Sequence, residues 1–162
     1  MLIEMPITKK MIEVARQKSI EMGKLSNSIT EGEGNLAGFI GEAMVAHFFR
    51  VPLVNTFDYD VIYKNLKIDV KTKRTTVEPK PYYECSVADY NIKQDCDGYL
   101  FTRILNSLGK GWLLGYMPKA EYYLRSIKHR KGELDLQNNF RFKADCYNLS
   151  IEKLYSVIEY HW

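Results

Sequence analysis

Cysteine is scarce in this chain. There are three in 162 residues, Cys85, Cys96 and Cys146, and no two have the C-x-x-C spacing of a thiolate zinc site. An odd count also argues against a disulfide framework, so a reducing, cytoplasmic setting is expected. No apolar run approaches the length of a membrane span, and Met1-Leu2-Ile3-Glu4 does not open a signal peptide. Internal repeats and low-complexity segments are lacking too. So is a strong charge of one sign. Twenty-three Lys and Arg against 20 Asp and Glu leave a net +3, which permits a phosphate-bearing partner without demanding one.

What remains is an ordinary globular composition, 46% hydrophobic and 27% charged, at a length that suits one domain over 1–162 with a core of its own. Aromatic residues make up 13%, and the 12 tyrosines are read mainly as packing for half-buried strands. Basic residues gather in two places. Residues 64–80 hold Lys64, Lys67, Lys71, Lys73, Arg74 and Lys80 against Asp69 and Glu78. A second group, Lys119, Arg125, Lys128, Arg130 and Lys131, reads as a solvated face.

Thr8 can cap a helix reaching about Met22, with Met11, Ile12, Ala15 and Met22 as its apolar stripe and Gly23 as its stop. The polar residues 26–34 read as a loop. Asn35 is placed to cap a second, mostly apolar helix over 36–49, and Pro52 prevents its continuation. From Phe57 the period changes. Residues 60–63 and 67–71 read as a hairpin whose turn is Lys64-Asn65 or Asn65-Leu66. Residues 82–87, 99–105 and 112–116 are further strands, 119–124 a short helix, and 151–160 a last helix capped by Ser150. The order implies an α/β (α+β) domain around a central mixed sheet. Its parts are a helical N-terminal extension (1–35), a core (36–105), and C-terminal strand and helices (106–162).

Four residues do not suit a bland core. The helical neighbours of Glu42 are Gly38, Phe39, Val45, Ala46 and Phe49, all apolar or small, so its carboxylate faces the interior. A buried charge needs a partner or a metal, and a salt bridge to a Lys or Arg is the plainer alternative. In the hairpin, side chains alternate, so Asp69, Lys71 and Lys73 share one face. With Lys64-Asn65 as the turn, Asp60 lies opposite Asp69. With Asn65-Leu66, it lies opposite Lys71. Either register gathers two carboxylates and a lysine. Adjacent carboxylates repel, and a lysine or a divalent cation relieves them. Mg²⁺ suits one or two carboxylates plus water and substrate phosphate.

These residues resemble the PD-(D/E)XK nuclease superfamily, the restriction-endonuclease-like fold. The resemblance rests on Gly41-Glu42 in a buried helix, Tyr59-Asp60, Asp69-Val70-Lys71, and Asp97-Gly98-Tyr99-Leu100-Phe101 as the next core strand; it spans about 36–105. Tyr59 stands where the family usually has Pro, which leaves Asp58 as a competitor of Asp60. The resemblance implies a Mg²⁺-dependent deoxyribonuclease, with Mn²⁺ able to substitute, of endonuclease or exonuclease type. It implies Asp60, Asp69 and Glu42 around the metal, joined by the Val70 carbonyl, and Lys71 orienting or deprotonating the attacking water. Lys73, Arg74 and Lys80 would then hold DNA phosphates, and a homodimer would suit cutting of both strands. Asn91 and Gln94 fall where some relatives carry another polar site residue. A nucleic-acid-binding module without cleavage activity and a structural protein with a salt-bridged hairpin are the other readings.

Overall fold

The computed structural model describes residues 1–25, 33–54 and 56–162. A short strand, β1 (Ile3–Pro6), precedes helix α1 (Lys9–Leu25). Thr8 caps α1 as expected: its Oγ1 accepts the Met11 N–H at 3.1 Å, a contact worth about 1 kcal/mol. The helix runs through Gly23 to Leu25 rather than stopping there, because one glycine costs a helix only about 1 kcal/mol. The expected loop at 26–34 lies mostly outside the described residues. Its last two positions already belong to helix α2 (Glu33–Phe49), so Asn35 is inside that helix and does not cap it.

Strands β2 (Val61–Tyr63) and β3 (Leu66–Thr75) form the hairpin. Their pairing, Val61 with Ile68 through Tyr63 with Leu66, selects Lys64-Asn65 as the turn. Both turn residues have positive φ, 50° and 65°, the handedness that matches the twist of the flanking strands. Next come β4 (Glu84–Ala88), a single 3₁₀ turn (Asp89–Lys93), β5 (Gly98–Leu105) and β6 (Lys110–Pro118). Helix α3 (Lys119–Arg125) leads into β7 (Ile127–His129), β8 (Leu134–Asp135), β9 (Phe140–Arg141) and β10 (Cys146–Ser150). The helix expected over 151–160 is reduced to a 3₁₀ turn, Ile151–Lys153. In its place Tyr155 forms a bridge with Tyr116, each N–H donating to the other carbonyl at 2.9 Å, which pins this segment to β6 in extended form.

The main sheet has the order β1-β6-β5-β3-β2. It is mixed: β3 and β5 run parallel and the other neighbours antiparallel. Strand β5 is central and buried on both sides, which explains its nearly continuous apolar sequence. One face carries α1 and α2, whose Met11, Ala15, Ile40 and Met44 pack on Ile68, Val70, Leu100 and Ile104. On the other face Tyr99, Phe101, Trp112 and Leu114 pack against β4, β10 and Tyr122. Burying each large apolar side chain contributes about 1.5–3 kcal/mol before entropy is counted. Among the described residues no helix is long and apolar enough to cross a membrane.

Helix α2 sits unusually close to the sheet. A Cβ added to Gly41 would lie 2.0 Å from Thr72 Oγ1 and 2.7 Å from Thr102 Oγ1, and the two hydroxyls bond each other at 2.8 Å. Only glycine allows that approach, and it carries the next residue, Glu42, down to the sheet.

Candidate active site

Glu42, Asp60 and Asp69 are all buried, at 9%, 8% and 5% exposure, and they act on one another electrostatically across α2, β3 and the entry to β2. Each is placed by a separate local cause. Gly41 brings in Glu42. Asp60 is the last residue before β2, and its N–H donates to Ile68 O at 2.9 Å, the residue that also pairs with Val61. The regular ladder therefore ends at Val61, and Asp60 does not sit in a ladder pair opposite Asp69. Its side chain turns along β3 instead, and Oδ2 accepts the Val70 N–H at 2.7 Å. Val70 thus meets the site through its amide. Asp69 and Lys71, two residues apart on β3, share a face, and Lys71 Nζ lies 2.6 Å from Asp69 Oδ2.

Two further residues complete the cluster. Lys18 of α1 reaches Glu42 Oε2 at 2.6 Å and lies 4.5 Å from the centre of the Phe39 ring. Its place was latent in the sequence, because Lys18 falls on the Met11–Ala15 stripe of α1, where a charge is out of place. Gln94 acts as a clamp. Its Nε2 donates to Phe57 O at 2.9 Å and to Asp69 Oδ1 at 3.3 Å, while its Oε1 accepts from Lys71 at 3.5 Å. Gln94 is one of the two polar positions that the family resemblance singled out, and it reaches Asp69 and Lys71 because the segment leading into β5 lies beside β3.

The electrostatics follow from burial. Asp60 is pushed up to about 8, first by desolvation and then by the charges of Glu42 and Asp69. Burial also raises Glu42 against the pull of Lys18, and a hydrogen bond with Asp60 favours its ionised form. Both acids of the pair are thus raised. Asp69 is raised by burial despite Lys71 and Gln94, with Asp58 adding to the effect. Its Oδ2 has no hydrogen-bond donor in good geometry, although the Lys71 ammonium is within ion-pair distance.

No family model matches this chain, and no curated protein matches its sequence. The site has to be judged on its own chemistry.

Among the described residues, no three His, Cys, Asp or Glu side chains already form a metal cage. The donor set is nonetheless carboxylate oxygen, which suits a hard divalent cation, and such a cation needs only one or two carboxylates when water and phosphate supply the rest. Asp69 Oδ2, which has an ion-pair contact with Lys71 but no hydrogen-bond donor, could serve as one ligand. Asp58 accepts the Asp95 N–H at 3.1 Å and still acts on Asp69 electrostatically. Of the expected phosphate contacts, Arg74 and Lys80 are exposed, whereas Lys73 turns its ammonium to Ser86 Oγ at 2.6 Å. Asn91 is buried and meets the cluster through its backbone, its carbonyl accepting the Gln94 N–H at 3.0 Å, and Tyr82 and Tyr83 pack edge to face.

Proposed function

We propose that the chain is a metal-dependent deoxyribonuclease with a restriction-endonuclease-like core, cutting DNA as an endonuclease. One observation supports the reading: the buried carboxylates Glu42, Asp60 and Asp69 act on one another, Lys71 pairs with Asp69, and burial followed by the charges of Glu42 and Asp69 raises Asp60 to about 8. Groups kept together at such cost are typical of functional sites. The mixed sheet with a parallel β3–β5 pair and a covering helix suits the proposed core.

Glu42, Asp60 and Asp69 would hold Mg²⁺ or Mn²⁺, with the Val70 carbonyl beside them. When bound, the cation lowers the pKa of a coordinated water and neutralises charge developing on the phosphate. The protein's own groups do the rest. Asp60 must release its proton before it can ligate. Lys71, in contact with Asp69 and Gln94, would hold the attacking water or a phosphate oxygen. Gln94 keeps Asp69 and Lys71 in a single arrangement. Arg74 and Lys80, exposed on and beyond β3, are available to the DNA backbone.

Labelled linear, circular, single-stranded and branched DNA, incubated with Mg²⁺, Mn²⁺ or EDTA, provides the test. Cutting of circular DNA that needs metal, reduced on the order of 10²-fold or more in Asp69→Ala and Lys71→Ala, is expected. Cutting only from ends would make the enzyme an exonuclease. Activity that survives both substitutions would sink the site assignment. DNA binding without any cutting would leave a binding module, and neither binding nor cutting would leave a structural protein, the reading that the Lys18–Glu42 and Lys71–Asp69 pairs suit.

A further inference from the structure

Lys71 also lines a pocket of about 110 Å³ between β3, β5 and β4. Parallel pairing sets Lys73 of β3 beside Arg103 of β5, so two cations flank this space. Neither forms an ion pair with a carboxylate among the described residues. Lys73 is held by neutral groups, Ser86 Oγ at 2.6 Å and Glu84 O at 3.4 Å. Arg103 donates through Nη2 to Glu84 O at 3.2 Å and stacks 4.9 Å from the Tyr83 ring centre, but its buried Nε has no acceptor. Glu84 is the carboxylate that lines the pocket, and its Oε2 is taken by Asn148 Nδ2 at 2.7 Å.

Two neighbouring cations with no carboxylate in ion-pair contact repel each other, which the more distant charge of Glu84 offsets only in part, and a buried N–H without an acceptor is costly. The effect is visible on Lys73. It is exposed as a residue, yet desolvation at its ammonium, followed by the charge of Arg103, lowers its pKa. An anion with several acceptor oxygens would satisfy both groups at once.

We propose that this pocket binds a phosphate group through Lys73, Arg103 and Ser86. In the reading above it holds a phosphate of the substrate strand next to the one that is cut. The pocket's link to the reaction rests on that reading, but its ability to take phosphate does not.

The test uses inorganic phosphate on the intact protein without metal, followed by calorimetry and thermal melting. Saturable binding with a rise in Tm is expected for wild type. Asp69→Ala, outside the pocket, should keep that binding while losing cleavage. Lys73→Met and Arg103→Gln should lose the phosphate-dependent rise. Lys73→Met relieves the repulsion, so it should melt no lower than wild type in phosphate-free buffer; this keeps the test usable if Arg103→Gln fails to fold. In cleavage, Lys73→Met should raise KM about tenfold with little change in kcat. Comparing 5′-phosphorylated with 5′-hydroxyl oligonucleotides then distinguishes a terminal phosphate from an internal one. Absence of phosphate binding by wild type, or binding unchanged in both variants, overturns the proposal. Phosphate binding that needs Lys73 in a protein that cuts no DNA would uphold the pocket and reject the nuclease.

Discussion

Lys18 and Glu42 form a contact whose two ends have different claims on it. Glu42 is the more deeply buried, with 11% of its side chain exposed against 22% for Lys18, so removing the lysine strands the acid. Lys18→Met is expected to cost about 2–3 kcal/mol in urea denaturation, less than the ~3–5 of a fully buried pair, since Glu42 can take up a proton instead. The double variant Lys18→Met/Glu42→Gln should regain most of that loss. A single variant as stable as wild type would show the pair to be idle. This residue-scale chemistry was half legible. That Glu42 needed a partner followed from its apolar helical neighbours; that the partner is Lys18 depends on how α1 docks, which no spacing within α2 can encode. Gln94 was harder still, because its role arises from a strand register between segments far apart in the chain.

At the scale of elements, the approach of α2 to β3 sets the position of Glu42. Gly41→Ala would drive a methyl into Thr72 and Thr102, and overpacking of this kind costs about 1–3 kcal/mol. Melting should show that loss, and the proposed nuclease activity should fall further than the lost stability accounts for, because the helix lifts Glu42 away from Asp60. Full activity in Gly41→Ala would mean the close approach does not matter to the site. The hairpin was the most readable element. Period-2 alternation indicated which residues share a face but left two turns open; the structure chose Lys64-Asn65, both with positive φ. The displacement of Asp60 from the ladder was not readable, because it depends on a backbone bond to Ile68. The tail failed for a related reason. Residues 151–160 carry a helical capping signal, but exchange of backbone bonds between Tyr116 and Tyr155 outweighs it. Short strands such as β1 and β10 lack enough residues for alternation to show.

For the molecule as a whole, the buried acids tie stability to pH. The folded chain keeps a proton on Asp60 up to about pH 8, whereas the unfolded chain releases it near 4. Between those values the unfolded state binds fewer protons, so stability falls as pH rises. Glu42 and Asp69, also raised, act in the same direction. Metal-free protein should therefore melt higher at pH 5 than at pH 8, and Asp60→Asn should flatten the difference. A melting temperature that climbs over this range in wild type would contradict the assignment. The α/β class with a mixed sheet was legible from the order of periodic segments; the second small sheet behind β3 and β5, which walls the pocket proposed to take phosphate, was not.

The parallel β3–β5 ladder also has a temporal meaning. Hairpin partners such as Val61 and Ile68 are close in sequence and can meet within microseconds. Each β3–β5 pair instead joins residues 30 positions apart, from Ile68 with Gly98 to Thr75 with Leu105, and such pairings are slow to close. Asp60, Asp69 and Lys71 can thus assemble on an early hairpin, whereas Gln94 and Arg103 arrive only with the ladder. A refolding chain would pass through a stage that has its carboxylates but neither the clamp nor the phosphate pocket, so recovery of catalysis should lag behind recovery of strand structure.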